Sequence, residues 1–216
     1  MSNDTEILAR LFKQQATIGK LLLDGARDPY AVAALLQSII DTKMESEKFE
    51  LLCDLGYIEV PAGYEFDTAL ASFEKANRKK FYSYNDDITD ANFSNPSRVV
   101  KAGDRLLVRA FHQTAAGTTT STERVDFLRA LPGNVFVGAQ GAALVFEQKR
   151  AKLPKGKWYA SFDEKDRLYE DAGHHGRVPH VNADTGGDFE FDLGRLVRPW
   201  YQDNAFLCFC DESLVA

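Results

Sequence analysis

Three of the chain's four histidines, His174, His175 and His180, fall within seven residues of one another, with Asp171 and Asp184 close by in sequence. Neutral imidazoles and carboxylates are zinc ligands, and a catalytic zinc site needs three of them plus one open position. His174, His175, His180 and Asp184 are therefore the candidate metal set. Their spacing matches no helical or knuckle motif. The same imidazoles titrate near neutral pH and could act as general acid and base, oriented by Asp171 or Asp184. A nucleophile would have to be Ser161, Thr185 or a cysteine, and there is no Gly-x-Ser-x-Gly turn. No residue is assigned a catalytic role. Adjacent residues of an extended segment point to opposite faces, so His174 and His175 are expected to diverge, with His180 sharing the face of Val178.

The strongest charge run is Lys149, Arg150, Lys152, Lys155 and Lys157, five cations in nine residues without an acid. It has the charge to meet phosphates or an acidic partner, but it also falls where a helix ends, and cations suit that end of the helix dipole. Gly138-Ala-Gln-Gly141 opens the same helix and could aim free N–H groups at an anion. Neither the Walker lysine nor the third glycine of a dinucleotide fingerprint accompanies it. Asn182-Ala-Asp184-Thr-Gly-Gly-Asp188 has the oxygens of a calcium loop but lacks the closing bidentate glutamate, so a hairpin turn explains it better. Cys208 and Cys210 lie in an apolar strand among Phe206, Leu207 and Phe209, where core packing is expected and no disulfide framework is implied.

The elements that must position these groups can be read from periodicity. Residues 4 to 24 and a segment opened by Asp28-Pro29 carry helical spacing, and Glu45 to Leu55 reads as a third helix stopped by Gly56. Glu45, Glu47, Glu50 and Asp54 crowd that third helix, which disfavours a DNA-reading helix-turn-helix. Residues 57 to 60 read as a short strand, and a helix capped by Asp67 runs to about Lys80, ending in Arg78-Lys79-Lys80. Residues 81 to 84 are aromatic and extended. A turn at Gly103 leads into a strand on which Leu106, Val108 and Ala110 share a face. Thr120 with Glu123 is a capping box for a helix to Leu131. Residues 134 to 163 then read as strand, glycine turn, helix and strand, followed by four short strands near 168, 178 to 181, 189 to 193 and 205 to 210, with Gly186-Gly187 as a hairpin turn.

The blocks Gly138-Ala-Gln-Gly, Leu153-Pro-Lys-Gly-Lys-Trp-Tyr-Ala-Ser-Phe-Asp-Glu-Lys and Phe206-Leu-Cys-Phe-Cys-Asp-Glu resemble those of a family of uncharacterised bacterial proteins that carry them in the same order. The resemblance covers most of the chain beyond Asp28. It implies no activity, cofactor or site.

With 216 residues, 44% of them hydrophobic and 27% charged, the composition is that of a folded protein with a sizeable core. A net charge of −6 disfavours a dedicated nucleic-acid binder. The start has no basic, apolar leader and no run is long enough to span a bilayer, so a soluble cytoplasmic protein without membrane contact is expected. The expected fold is α+β, a helical N-terminal part followed by a β-rich antiparallel sheet or small barrel with two helices. The expected organisation is a helical region 1–80, an aromatic and polar linker 81–97 and a β-rich domain 98–216. The functional expectation is a non-enzymatic interaction module that binds a macromolecular partner and needs no cofactor, using Lys149, Arg150, Lys152, Lys155 and Lys157. The alternative is a small metal-assisted or histidine-based hydrolase with its site near His174 to His180.

Overall fold

In the computed structural model, which describes residues 48–211, nine strands join one mixed sheet. The chain divides into two units, 1–44 and 45–216, and all described residues belong to the second. The helices expected over residues 4 to 24 and beyond Asp28 lie outside the described residues.

In chain order the elements are β1 (Phe49–Glu59), α1 (Ala69–Asn77), β2 (Phe81–Tyr84), β3 (Arg105–Gln113), α2 (Ser121–Ala130), β4 (Asn134–Val135), α3 (Gly138–Lys149), β5 (Lys157–Ala160), β6 (Tyr169–Glu170), β7 (Gly176–Ala183), β8 (Phe189–Arg195) and β9 (Asn204–Cys210). The sheet order is β1-β3-β9-β5-β7-β8-β2, with β4 added to β9 and β6 to β7. Most pairs are antiparallel, but β5 runs parallel to β9 and β2 parallel to β8.

This corrects the expected fold. Strand and helix alternate through the described chain, so the helices do not form an N-terminal part. The sheet is no barrel, because β1 and β2 end its order instead of pairing with each other. The helix expected over Glu45 to Leu55 is β1 from Phe49 onward. Two register shifts, at Leu51/Cys53 and Asp54/Gly56, interrupt the pairing of β1 with β3. Each bulge adds a residue and resets which face the next side chain takes, so the alternation of a strand is hidden and apolar residues at 49, 52, 53 and 55 imitate a helical stripe. Gly56 does adopt the left-handed conformation, φ +72°, but in a bulge, where Asp54 Oδ1 accepts its N–H at 2.7 Å.

Each face of the sheet has its own core. One face carries Leu106, Val108 and Ala110 of β3, Leu207 and Phe209 of β9, Tyr159, Val181 and Phe191, and is covered by α1 and α3 through Leu70, Phe73, Leu144 and Phe146. The other carries Phe49, Phe111, Ala160, Val178, Phe206 and Cys208, covered by Val125, Phe127 and Leu128 of α2 and by Trp200. β9 is buried along its whole length, as a strand covered on both faces must be. Phe81 and Tyr84 belong to the first core, so the aromatic segment 81 to 84 is a strand whose two ends face inward while Tyr82 is exposed.

Local signals locate the helices. Thr120 and Glu123 form the full capping box of α2. α1 is capped from a distance: Asp90 Oδ1 accepts the N–H of Leu70 at 2.8 Å and Oδ2 that of Ala71 at 3.0 Å. α3 lies so close to the sheet that a Cβ on Gly141 would stand 2.7 Å from Phe209 Cζ. Arg124 of α2 is fully buried without a carboxylate partner. Its guanidinium donates to Thr119 Oγ1, Gln113 Oε1 and the carbonyl oxygens of Asn204 and Tyr201, and it lies against Trp200 and Phe206. It pins α2 to the entry of β9.

Candidate functional site

The basic run spans the last residues of α3, a short 3-10 turn and the first residue of β5. Lys152 and Lys155 are exposed and Lys149, Arg150 and Lys157 half-buried. Arg150 donates to the Glu147 carbonyl at 3.1 Å and lies over the Phe146 ring, while Lys157 donates to the Gln202 carbonyl at 2.8 Å. None of the five has a carboxylate within ion-pair distance among the described residues.

The fold brings a second basic run to the same place. α1 is followed by a 3-10 turn of Arg78, Lys79 and Lys80, and its last residue, Asn77, donates to Glu147 Oε1 at 3.0 Å. Lys80 in turn donates to Asn77 Oδ1 at 2.6 Å, and the Phe81 ring packs 4.3 Å from that of Phe146. The last turns of α1 and α3 therefore lie side by side, and the Asn77–Glu147 bond brings the run Arg78 to Lys80 beside the start of the second run at Lys149 and Arg150. Among the described residues only Arg78 of the eight cations in the two runs has a carboxylate partner, Glu74 at 3.8 Å. Two negative helix ends help hold this charge in place. Each run has that local explanation on its own; their convergence is visible only in the fold.

The histidines stand in different surroundings. His174 is a left-handed residue, φ +58°, at the tip of the β6–β7 turn, its side chain 91% exposed and 3.8 Å from Glu170. His175 Nδ1 lies 3.2 Å from Asp171 Oδ1. Asp171 organises this turn by accepting the N–H groups of Gly173 and His175 and two donors of Arg177; the His175 N–H and then Arg177 hold its carboxyl well below the usual range. His180 is inside the protein, on the face of Val178, with its ring 4.7 Å from that of Trp158. Burial, and then the charge of Arg198, push it down to about 4, so the ring is neutral at physiological pH. Asp184 closes the β7–β8 hairpin by accepting the N–H groups of Gly187 and Asp188. Among the described residues no three His, Cys, Asp or Glu side chains are grouped as metal ligands.

The remaining candidates have structural partners. Ser161 is buried and donates to the Gly138 carbonyl at 2.7 Å. Gly138 to Gly141 are buried, and the carboxylate beside this helix start is Asp163, whose Oδ2 would be 3.2 Å from a Cβ on Gly138. Asp163 accepts the Ser97 N–H at 3.1 Å, the Ser97 hydroxyl and the Glu164 N–H at 2.8 Å. Burial outweighs these bonds and pushes its carboxyl up to about 6. Cys208 and Cys210 are free thiols, buried with their sulfurs 3.4 Å apart; the bond to Cys210 and burial push Cys208 up.

Among the described residues no helix is long and apolar enough to cross a membrane. No family model, curated protein or solved structure matches the chain.

Proposed function

We propose that the described unit is a non-enzymatic interaction module that holds an acidic polypeptide segment on the basic face formed by the ends of α1 and α3. The observation that carries this reading is the Asn77–Glu147 bond, which sets Arg78, Lys79 and Lys80 beside the start of the run Lys149, Arg150, Lys152, Lys155 and Lys157, with one ion pair recorded for these eight among the described residues. In a chain of net charge −6 such a gathering is a local reversal of sign, which steers an acidic partner to one place. An acidic peptide is favoured over nucleic acid because the acidic remainder of the surface would repel a long polyanion that runs past the patch.

Fluorescence anisotropy with a labelled glutamate-rich peptide and, in parallel, a labelled single-stranded oligonucleotide tests this. The peptide should bind at low ionic strength and weaken with salt. The combined variant Lys79→Glu, Lys152→Glu, Lys155→Glu, all exposed positions, should lose about tenfold or more in affinity. Unchanged binding in the triple variant, or tighter binding of the oligonucleotide than of the peptide, would overturn the reading.

A further inference from the structure

Next to Lys157, the last residue of the basic run, which donates to the Gln202 carbonyl, the turn between β8 and β9 leaves a recess of about 320 Å³ lined by Trp158, Arg198, Pro199, Tyr201, Asp203 and Asn204. We infer that this recess binds a small zwitterion, an α-amino acid, with Arg198 and Asn204 taking its carboxylate, Asp203 its ammonium and Trp158 its side chain.

Arg198 is held in place without being paired. Its guanidinium lies 4.2 Å over the Trp200 ring and 5.9 Å from that of Trp158. It also packs on the backbone of Gly194, where a Cβ would meet its Cζ at 3.2 Å. Stacking fixes the plane of the fork but uses none of its N–H donors. No side-chain hydrogen bond or ion pair of Arg198 exists among the described residues, and its Nε and Nη2 are buried without a partner. Those two nitrogens are closed off from the recess, so Nη1 is the donor the guanidinium offers a carboxylate there, in a charge-assisted bond.

A second donor converges on the same space. Asn204 is only 6% exposed, and its Oδ1 is used by the Tyr201 N–H at 2.9 Å, which sets the amide with Nδ2 as its remaining donor. Asn204 is itself fixed from behind, since Arg124 donates to its carbonyl oxygen at 2.6 Å. The recess thus has one charged and one neutral donor on rigid supports, as a binding group needs.

The opposite charge stands on the same wall. Asp192 and, less strongly, Asp203 act on Arg198 by their fields without forming ion pairs; of the two only Asp203 lines the recess, and its backbone is anchored by the Trp158 N–H, which donates to its carbonyl at 3.0 Å. A guanidinium and a separate carboxylate facing one small recess complement a ligand with both charges; a plain anion would gain one contact and be repelled by the other. The half-exposed Trp158 and the exposed Tyr201 supply an apolar wall for a side chain.

The chain has two tryptophans, and both lie against Arg198, so intrinsic fluorescence reports directly on this recess. The full chain is titrated with leucine, with 4-methylpentanoate, which lacks the ammonium, and with isoamylamine, which lacks the carboxylate; calorimetry serves as the second readout. Leucine should give a saturable signal, and the two truncated compounds should bind about tenfold more weakly or not at all. Arg198→Met should lose leucine binding with the far-UV spectrum unchanged. Asp203→Asn, at an exposed position, should remove the preference for leucine over 4-methylpentanoate. Absence of binding by both readouts in the wild-type protein would overturn the inference, as would equal binding of 4-methylpentanoate or full retention of leucine binding in Asp203→Asn. Neither result bears on the basic face, whose peptide assay is independent.

Discussion

The Asn77 amide donates to the Glu147 carboxylate at 3.0 Å and also to the Phe73 carbonyl at 3.0 Å, so one buried side chain joins the last turns of two helices. Replacing it with alanine removes these two bonds and the one accepted from Lys80, and leaves the exposed Glu147 carboxylate without its amide partner. Asn77→Ala should cost about 2 kcal/mol in urea denaturation. A loss below about 0.5 kcal/mol would show that the helix ends are held by the Phe81–Phe146 packing alone.

Gly141 supplies a test by sign. In an exposed helix interior alanine in place of glycine stabilises by about 1 kcal/mol. At Gly141 a Cβ would meet Phe209 Cζ at 2.7 Å and Val137 Cβ at 3.0 Å, and Phe209 is enclosed in the core. Gly141→Ala should therefore destabilise by about 1 to 3 kcal/mol as α3 is pushed off the sheet. A rise in melting temperature would refute the close approach.

Arg124 is satisfied entirely by neutral acceptors. Its replacement by methionine takes a donor from Gln113 Oε1 and from the carbonyls of Asn204 and Tyr201, although Gln113 keeps the Thr119 hydroxyl and Tyr201 the Asn204 N–H. The expected loss is about 3 to 5 kcal/mol. Arg124→Lys keeps the charge but not the fork, and should recover less than half of that loss by the same measurement.

Two buried groups make stability depend on pH with opposite signs. Asp163 is raised in the fold from 3.8 to about 6 by burial, so its stabilising contribution is complete below the unfolded value and is lost as pH rises through about 6. His180 is lowered from 6.5 to about 4, so its contribution is complete above 6.5 and is lost as pH falls through about 4. Between about pH 7 and pH 5 the first gains and the second loses about 1 to 2 kcal/mol, and the wild-type profile over that window should be nearly flat for these two groups. Asp163→Asn removes the gain and exposes the loss, so the variant should become less stable than wild type on acidification. Parallel pH profiles of the two proteins, followed by thermal melting, would exclude the raised Asp163.

What could be read from the residues alone was local. The Thr120–Glu123 box, the strand–helix–strand unit from Asn134 to Ala160, the hairpin at Gly186-Gly187 and the shared face of Leu106, Val108 and Ala110 each depend on neighbours a few positions apart, and each is present. β1 was misread because its bulges break the period that identifies a strand. The parallel pairs of β5 with β9 and β2 with β8 depend on partners dozens of residues away, for which no turn signal exists. The sites follow the same division. The basic run of α3 was legible as charge, but its meeting with the run of α1 was not. Arg198 and Asn204 were passed over, because an unpaired guanidinium is a property of surroundings and not of residue type.

β9 is the last described strand in sequence, yet it stands third in a sheet order of seven, between β3 and β5. Until it is in place, β1 and β3 form one ribbon and β5, β7, β8 and β2 another, with nothing in the sheet to join them. A ribosome that has released everything up to Arg198 has therefore made nearly all of the protein's hydrophobic residues but neither of its two cores. The described unit must wait for seven residues, and in ribosome-bound intermediates stalled before Asn204 it should be a substrate for chaperones and proteases, becoming protease-resistant only once Cys210 has cleared the exit tunnel.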